Sequence, residues 1–265
     1  VIAGPAKKSR VITEKERKLT AYHEAGHAIV MRSIPESDPV HQITIIPRGG
    51  AGGFTMQLPE EDKQYATKGM MLNDIKHLLG GRVAELLTLD DISTGASNDI
   101  QRATDVARAM VTKYGFSDKL GPVNYSDSEE VFLGNDFSSK KSYSEEVAAE
   151  IDHEIRRIVE EAFEETKKII SENLDKLERV AQALLAVETL DGQQFEQLYT
   201  GEKSAEDIEN DVMEKEAEIR KVNAQEAEES EKLRREAEER LMEEIERLRN
   251  QYVSADGTTH RRDEE

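Results

Sequence analysis

The chain has 265 residues, 37% of them hydrophobic, a formal net charge of −20 and no cysteine, enough to bury the core of one large domain or two small ones. The missing cysteines exclude a disulfide framework and thiolate ligands, so any zinc must be held by histidine and carboxylate. The acidic balance excludes the basic face that nucleic-acid binding needs, and no apolar run reaches the roughly 18 residues of a membrane span.

Residues 1–12 form a polar, basic lead-in with neither the apolar centre of a signal peptide nor an initiator Met, so the chain reads as a piece of something longer. Thr13–Glu16, TEKE, is a capping box: the Thr13 side chain accepts from the backbone while Glu16 reaches back. It predicts a helix over Glu14–Ser33, with Leu19, Tyr22, His23, Gly26, His27 and Val30 on one side. That helix carries HEAGH. Residues four apart share a helix face, so the imidazoles of His23 and His27 can converge on one cation. Glu24 is then placed to act on water at the metal as general base rather than to ligate it. The competing reading is two histidines that share a face and bond to backbone or water. A catalytic zinc takes three protein ligands and keeps a fourth position open. Gly26 costs roughly 0.5–1 kcal/mol relative to Ala in a helix interior, which points to another element approaching closely there.

Pro35 and Pro39 bracket a turn. Gln42–Ile46 and Gly53–Leu58 then read as two short strands of a small sheet or hairpin around a glycine-rich connection. That connection, GGAGG, lacks the Lys-Ser/Thr of a phosphate loop and precedes a strand, so it is not one. A helix is predicted over Glu61–Leu87, broken or closely packed at Gly80–Gly81. A further helix begins with Ser97 or Asn98 as N-cap and ends with Gly115 at the C′ position. Residues 116–141 read as loop with one or two extended pieces. A long helix follows to Ser171, opened by a capping box of Ser142 and Glu145; then come Glu172–Val187 and a short helix capped by Asp191 with Gln194. Beyond Gly201 the composition shifts. Residues 201–265 hold 22 Asp+Glu against 12 Lys+Arg. The segment Ser204–Asn250 reads as a helix with a thin apolar seam or a disordered acidic tail.

The third ligand is not fixed by spacing. The position six residues after His27 is Ser33, and His41, His77, His153 and His260 read as surface or packed residues, which leaves a carboxylate. Asp99, in the first turn of its helix where free N–H groups favour negative charge, is the leading candidate, with Glu85 second.

These residues resemble the peptidase domain of FtsH-type AAA+ membrane-anchored zinc metalloproteases. The resemblance runs through RKLTAYHEAGHAIV, ITIIPRG, FTMQLPEED, GGRVAELL, ISTGASNDIQRATDVARAMVTKYGFSDKLGPV, FLGNDF, SYSEEVAAEID and LLAVETLDGQQF, and covers about residues 4–200. It implies a mainly α, zincin-like fold with a small β-sheet. It implies one Zn2+ per chain on His23, His27 and Asp99, with Glu24 as base and Glu85 as a buried residue orienting a ligand histidine. It further implies that Gly53, Phe54, Thr55 and Met56 lie on an edge strand that holds substrate by its backbone. On this reading residues 1–200 are a peptidase domain acting on unfolded or flexible polypeptide, and 201–265 are an acidic tail. The family's ATPase module and membrane segments are not in this sequence, so ATP is not bound by it. The parent protein is expected as a homo-hexamer at the cytoplasmic face of a membrane, or its organelle equivalent, and this piece as soluble. The alternative reading is a ring-forming interaction module whose peptidase is silent in isolation. A further reading gives the tail a partner to recruit.

Overall fold

The computed structural model describes residues 13–35, 37–47, 52–58, 65–89, 91–126 and 143–256. Among them the architecture is mainly α with one three-stranded sheet, as the sequence reading expects. Helix α1 spans Glu14–Ser33 and opens with the predicted capping box: Thr13 accepts from the Glu16 N–H, and Glu16 accepts from the Thr13 N–H. It is the central element, buried from Ala21 to Met31, and packs mainly against α2 (Lys68–Thr88) and α5 (Leu174–Val187).

Strand β1 (Val40–Thr44) lies two residues earlier than predicted. The Thr44 hydroxyl accepts the Ile46 N–H at 3.2 Å, which turns Ile46 out of the ladder. β2 (Phe54–Gln57) pairs antiparallel with β1, Thr55 opposite Ile43. β3 (Thr189–Asp191), which the sequence reading missed, pairs on the other side, Leu190 opposite Ile43. The order β2-β1-β3 leaves β2 at an edge. β3 escaped notice because three residues between two helices carry no legible period.

Helix α2 starts at Lys68, not Glu61. Residues 65–67 are not helical, residues 61–64 lie outside the described residues, and Thr67 caps the helix by accepting the Met70 N–H at 3.2 Å. It runs unbroken through Gly80–Gly81; the pair serves close packing. Helix α3 (Ser97–Thr112) has Ala96 at its N-cap with no side-chain cap, so Ser97 and Asn98 sit inside the first turn. Gly115 takes the left-handed conformation (φ +62°) just past its C-terminal end. Residues 116–126 contain no strand, and the remainder of that predicted loop lies outside the described residues. Helix α4 (Glu145–Ser171) is capped by Ser144, which accepts the Val147 N–H; the predicted cap Ser142 lies outside the described residues. α5 starts two residues later than predicted, because α4 ends at its C-cap Glu172. The Asp191–Gln194 capping box opens α6 (Gly192–Thr200) as predicted.

Two apolar clusters build the core. One joins α1, the sheet, α5 and α6, through residues such as Ile29, Ile43, Leu184 and Phe195. The other joins α2, α3 and α4 through Ile75, Met110 and Ile155. Phe163 of α4 packs against both. The chain divides into two compact units, residues 1–209 and 210–265. Helix α7 covers Ala205–Asp256, started by Ser204, which accepts the Asp207 N–H while Asp207 accepts in return.

Candidate metal centre

The site forms where α1 presses against α2 and the start of α3 comes alongside. The approach of α1 to α2 depends on missing side chains. A Cβ on Gly26 would stand 2.5 Å from the Ala84 Cβ and 2.6 Å from the Gly80 carbonyl oxygen. A Cβ on Gly81 would stand 2.4–2.6 Å from three atoms of the His23 ring. These glycines let two helix backbones meet and leave the imidazole its place between them. The close approach expected from Gly26 is thus α2.

His23 and His27, both buried, point their Nε2 atoms at each other, 3.1 Å apart. Asp99 Oδ2, from the first turn of α3, lies 3.3 Å from His23 Nε2 and 3.6 Å from His27 Nε2. The far side of each ring is tied down. His23 Nδ1–H donates to Glu85 Oε1 at 2.8 Å, and His27 Nδ1–H donates to the His77 carbonyl at 2.8 Å. A carboxylate and a carbonyl can only accept, so each Nδ1 carries its hydrogen and Nε2 is the nitrogen that each ring turns inward.

Two imidazole nitrogens and a carboxylate oxygen therefore face one point, a site that takes positive charge either as a proton on a histidine or as a metal ion that displaces it. Ligand atoms about 2.0–2.1 Å from a tetrahedral zinc stand about 3.3–3.4 Å apart. The three separations here bracket that edge length, and all three donors lie within 4.8 Å of one another. The donor set, two nitrogens and a carboxylate oxygen, suits zinc. The residues fit the metal.

The electrostatics agree. Burial disfavours a charged His23, yet hydrogen bonds to Asp99 and Glu85 and the charge of Glu24 raise its pKa to about 9. Burial also opposes ionisation of Asp99 and Glu85, but the hydrogen bonds from the histidines, and from Ser93 to Glu85, hold both carboxyls below their ordinary range. The pocket is built to hold positive charge.

Glu24 is buried and does not join the three donors. Burial pushes its carboxyl upward, against the pull of His27, His23 and Thr55. The Thr55 hydroxyl, on edge strand β2, lies 2.8 Å from Glu24 Oε2 and 3.1 Å from the Glu24 carbonyl oxygen. Gly53 packs so closely that a Cβ there would stand 2.5 Å from the Thr44 carbonyl oxygen and 3.0 Å from Glu24 Cγ. A cleft of about 580 Å3 opens beside these groups, lined among others by Glu24, His27, Phe54, Thr55, Asp99 and Arg102. Gly53 lines it as well; Met56 pairs with Gln42 in the ladder and does not.

Glu85 is fully buried, and its second oxygen accepts the Ser93 N–H at 2.8 Å. It thus ties α1 to the loop that leads into Asp99. His41 and His153 are exposed and away from the cluster, and His260 lies outside the described residues. Three contributions went unread in the sequence: the Thr55 hydroxyl on Glu24, the Ser93 anchor of Glu85, and His77. The His77 ring packs edge-on against His27, with centroids 5.4 Å apart, and lines the cleft. Burial and the nearby charges of His27 and Arg102 press its pKa down to about 3. One signal could have found it: His77, Gly81 and Glu85 recur every four residues, on the face of α2 that meets α1.

The sequence model of peptidase family M41 matches residues 10–198. Among curated proteins, the chain is 67% identical over 203 residues to the ATP-dependent zinc metalloprotease FtsH 2 of Alkaliphilus metalliredigens, covering 76% of this chain and 30% of that protein. It is 60% identical over 203 residues to FtsH 1 of a Thermoanaerobacter species, covering 76% of this chain and 33% of that one. To the FtsH of Bacillus subtilis it is 54% identical over 200 residues, covering 75% and 31%. The chain spans about a third of the length of these relatives.

Proposed function

Since the chain belongs to peptidase family M41, we propose that it is a zinc-dependent endopeptidase domain in which His23, His27 and Asp99 hold the metal and Glu24 is the general base. The observation that carries this reading is the convergence of three electron-pair donors beside a buried carboxylate and the edge strand of the sheet of described residues.

Zinc, when bound, supplies Lewis acidity that polarises the scissile carbonyl and eases deprotonation of water. Glu24 takes the proton from the attacking water and delivers it to the leaving amine nitrogen. Its burial supports this role, because a carboxyl lifted above its ordinary pKa is a stronger base. Thr55 donates to the same carboxylate and fixes its direction. Glu85 and the His77 carbonyl keep both imidazoles in the tautomer that presents Nε2. Edge strand β2 accepts an extended polypeptide as an added strand through Gly53, Phe54, Thr55 and Met56. Only a segment without its own secondary structure can pair this way, hence unfolded or flexible substrates, with little demand on sequence. The longer relatives are named ATP-dependent. We place this chain as the proteolytic module of such an enzyme, assembled as a hexameric ring at a membrane. No described helix is long and apolar enough to cross one.

The test pairs elemental analysis with degradation of casein in the absence of ATP. One zinc per chain and chelator-sensitive cleavage are expected. Glu24→Gln should keep the metal and lower the rate at least about 100-fold, the scale of general-base catalysis. A fully zinc-loaded hexamer that cleaves nothing would instead favour a ring-forming module with a silent peptidase.

A further inference from the structure

The cleft contains a cation with no counterpart among the described residues. Arg102 lines it, is exposed, and makes no hydrogen bond or ion pair there. Four other arginines of the same unit are paired, although the exposed Arg108 and Arg156 outside the cleft are not, among the described residues. Arg17 bonds the Leu185 carbonyl and Glu188, Arg32 grips Glu196, Arg157 holds Glu154 and Glu161, and Arg179 holds Asp175 and the Leu198 carbonyl. Arg102 sits three residues after Asp99 on α3, so both lie on one helix face, and both line the cleft.

We propose that Arg102 is a substrate-binding residue that holds a main-chain carbonyl on the outer edge of the peptide in the cleft. The inference rests on the endopeptidase reading above and extends it. A strand added to β2 satisfies the backbone groups along one of its edges only. The carbonyls of its other edge lie in the plane of the sheet, while its side chains project above and below that plane. Beyond β2, the cleft is lined by Glu24 and His27 of α1, by His77 and Leu78 of α2, and by the start of α3. Of these, the long side chain with spare donors is Arg102. Guanidinium offers five N–H donors and no acceptor, so its natural partner is an oxygen. A donor that meets that edge in the plane of the sheet selects a peptide carbonyl over a side-chain carboxylate. Contact with the backbone also preserves the sequence tolerance that strand addition provides.

Fluorogenic peptides differing only in the residues flanking the scissile bond (Glu, Gln, Lys or Leu) test this on the full zinc-loaded chain. Arg102→Ala should lower kcat/KM about 10–100-fold for every peptide, the loss expected for one charge-assisted hydrogen bond. Zinc content should not change, and Arg102→Lys should recover part of the loss. In a Glu24→Gln background, Arg102→Ala should weaken binding of an uncleaved peptide about tenfold, the same lost bond read at equilibrium. A loss confined to Glu-containing peptides would make Arg102 a side-chain selector and overturn the proposal. Zinc release by Arg102→Ala, unchanged kinetics and binding, or no peptide binding to the Glu24→Gln chain would overturn it too. A wild-type chain that binds peptide and zinc but cleaves nothing would defeat the endopeptidase reading alone, since the binding comparison still judges Arg102.

Discussion

His23 shows how a single side chain is placed from three directions. α1 carries it, Glu85 of α2 fixes its tautomer at 2.8 Å, and Gly81 leaves the space its ring fills. In an ordinary helix interior Gly→Ala stabilises by roughly 0.5–1 kcal/mol. At Gly81 the new methyl would meet the imidazole at 2.4–2.6 Å, so the ring must leave the position that directs Nε2 toward Asp99. Gly81→Ala is therefore expected to weaken zinc binding about 10–100-fold, the scale of losing a ligand's supporting contact. Competition with a chromogenic chelator measures it, and unchanged affinity would mean the ring has slack that the packing does not show. The sequence displayed His23, Glu24 and His27 through helix periodicity alone. It left Asp99 and Glu85 as alternatives, because nothing in the spacing tells a carboxylate facing Nε2 from one facing Nδ1. The hydroxyl of Thr55 and the carbonyl of His77 were out of reach, since both contacts join separate elements.

Between elements, a buried carboxylate fastens the turn after α3 to α4. Glu154 on α4 accepts the Ser117 hydroxyl at 2.6 Å and two N–H groups of Arg157 at 2.9 and 3.1 Å. Ser117 in turn accepts the N–H groups of Lys119 and Leu120. The bonds from Arg157, then burial in opposition, then the bond from Ser117 bring the Glu154 pKa from 4.5 to about 2. A carboxyl depressed on folding stabilises the fold above its unfolded pKa and loses that contribution as pH falls through the folded value. Glu154→Gln should thus cost about 1–3 kcal/mol at neutral pH, as for hydrogen bonds to a charged group. The gap in Tm between wild type and variant should be constant above pH 4.5 and shrink from there toward pH 2. A gap that holds steady through that window would show that the charge of Glu154 is not what fastens the turn. At this scale capping chemistry was the most legible signal: Thr13–Glu16 and Asp191–Gln194 lie where their sequences say. The start of α2 and strand β3 were misread, because Thr67 competes with several polar residues as a cap and three residues are too few to show alternation.

For the whole molecule, both apolar clusters, the three donors and the cleft lie within residues 1–209. The last core residue is Ile208. Beyond that point helix α7 is mostly exposed as far as Arg247, and its i,i+4 pairs, such as Arg220–Glu216 and Arg235–Glu231, contribute only about 0.3–0.5 kcal/mol each. A chain ending at Glu209 is expected to keep its zinc affinity and its melting transition within about 0.5 kcal/mol, the usual range for surface changes. Calorimetry and zinc titration of the shortened chain check this, and loss of the fold would show that the second unit supports the first. The sequence by itself determined the helices with strong periods and caps, the pair of histidines on one face, and the absence of thiolate chemistry, because all of these depend on residues near each other along the chain. Only the tertiary structure decided which carboxylate faces the two Nε2 atoms, that β2 is the edge strand beside Glu24, and that Arg102 has no partner among the described residues. Those outcomes are set by how closely glycine lets separate backbones approach, a distance that sequence spacing does not encode.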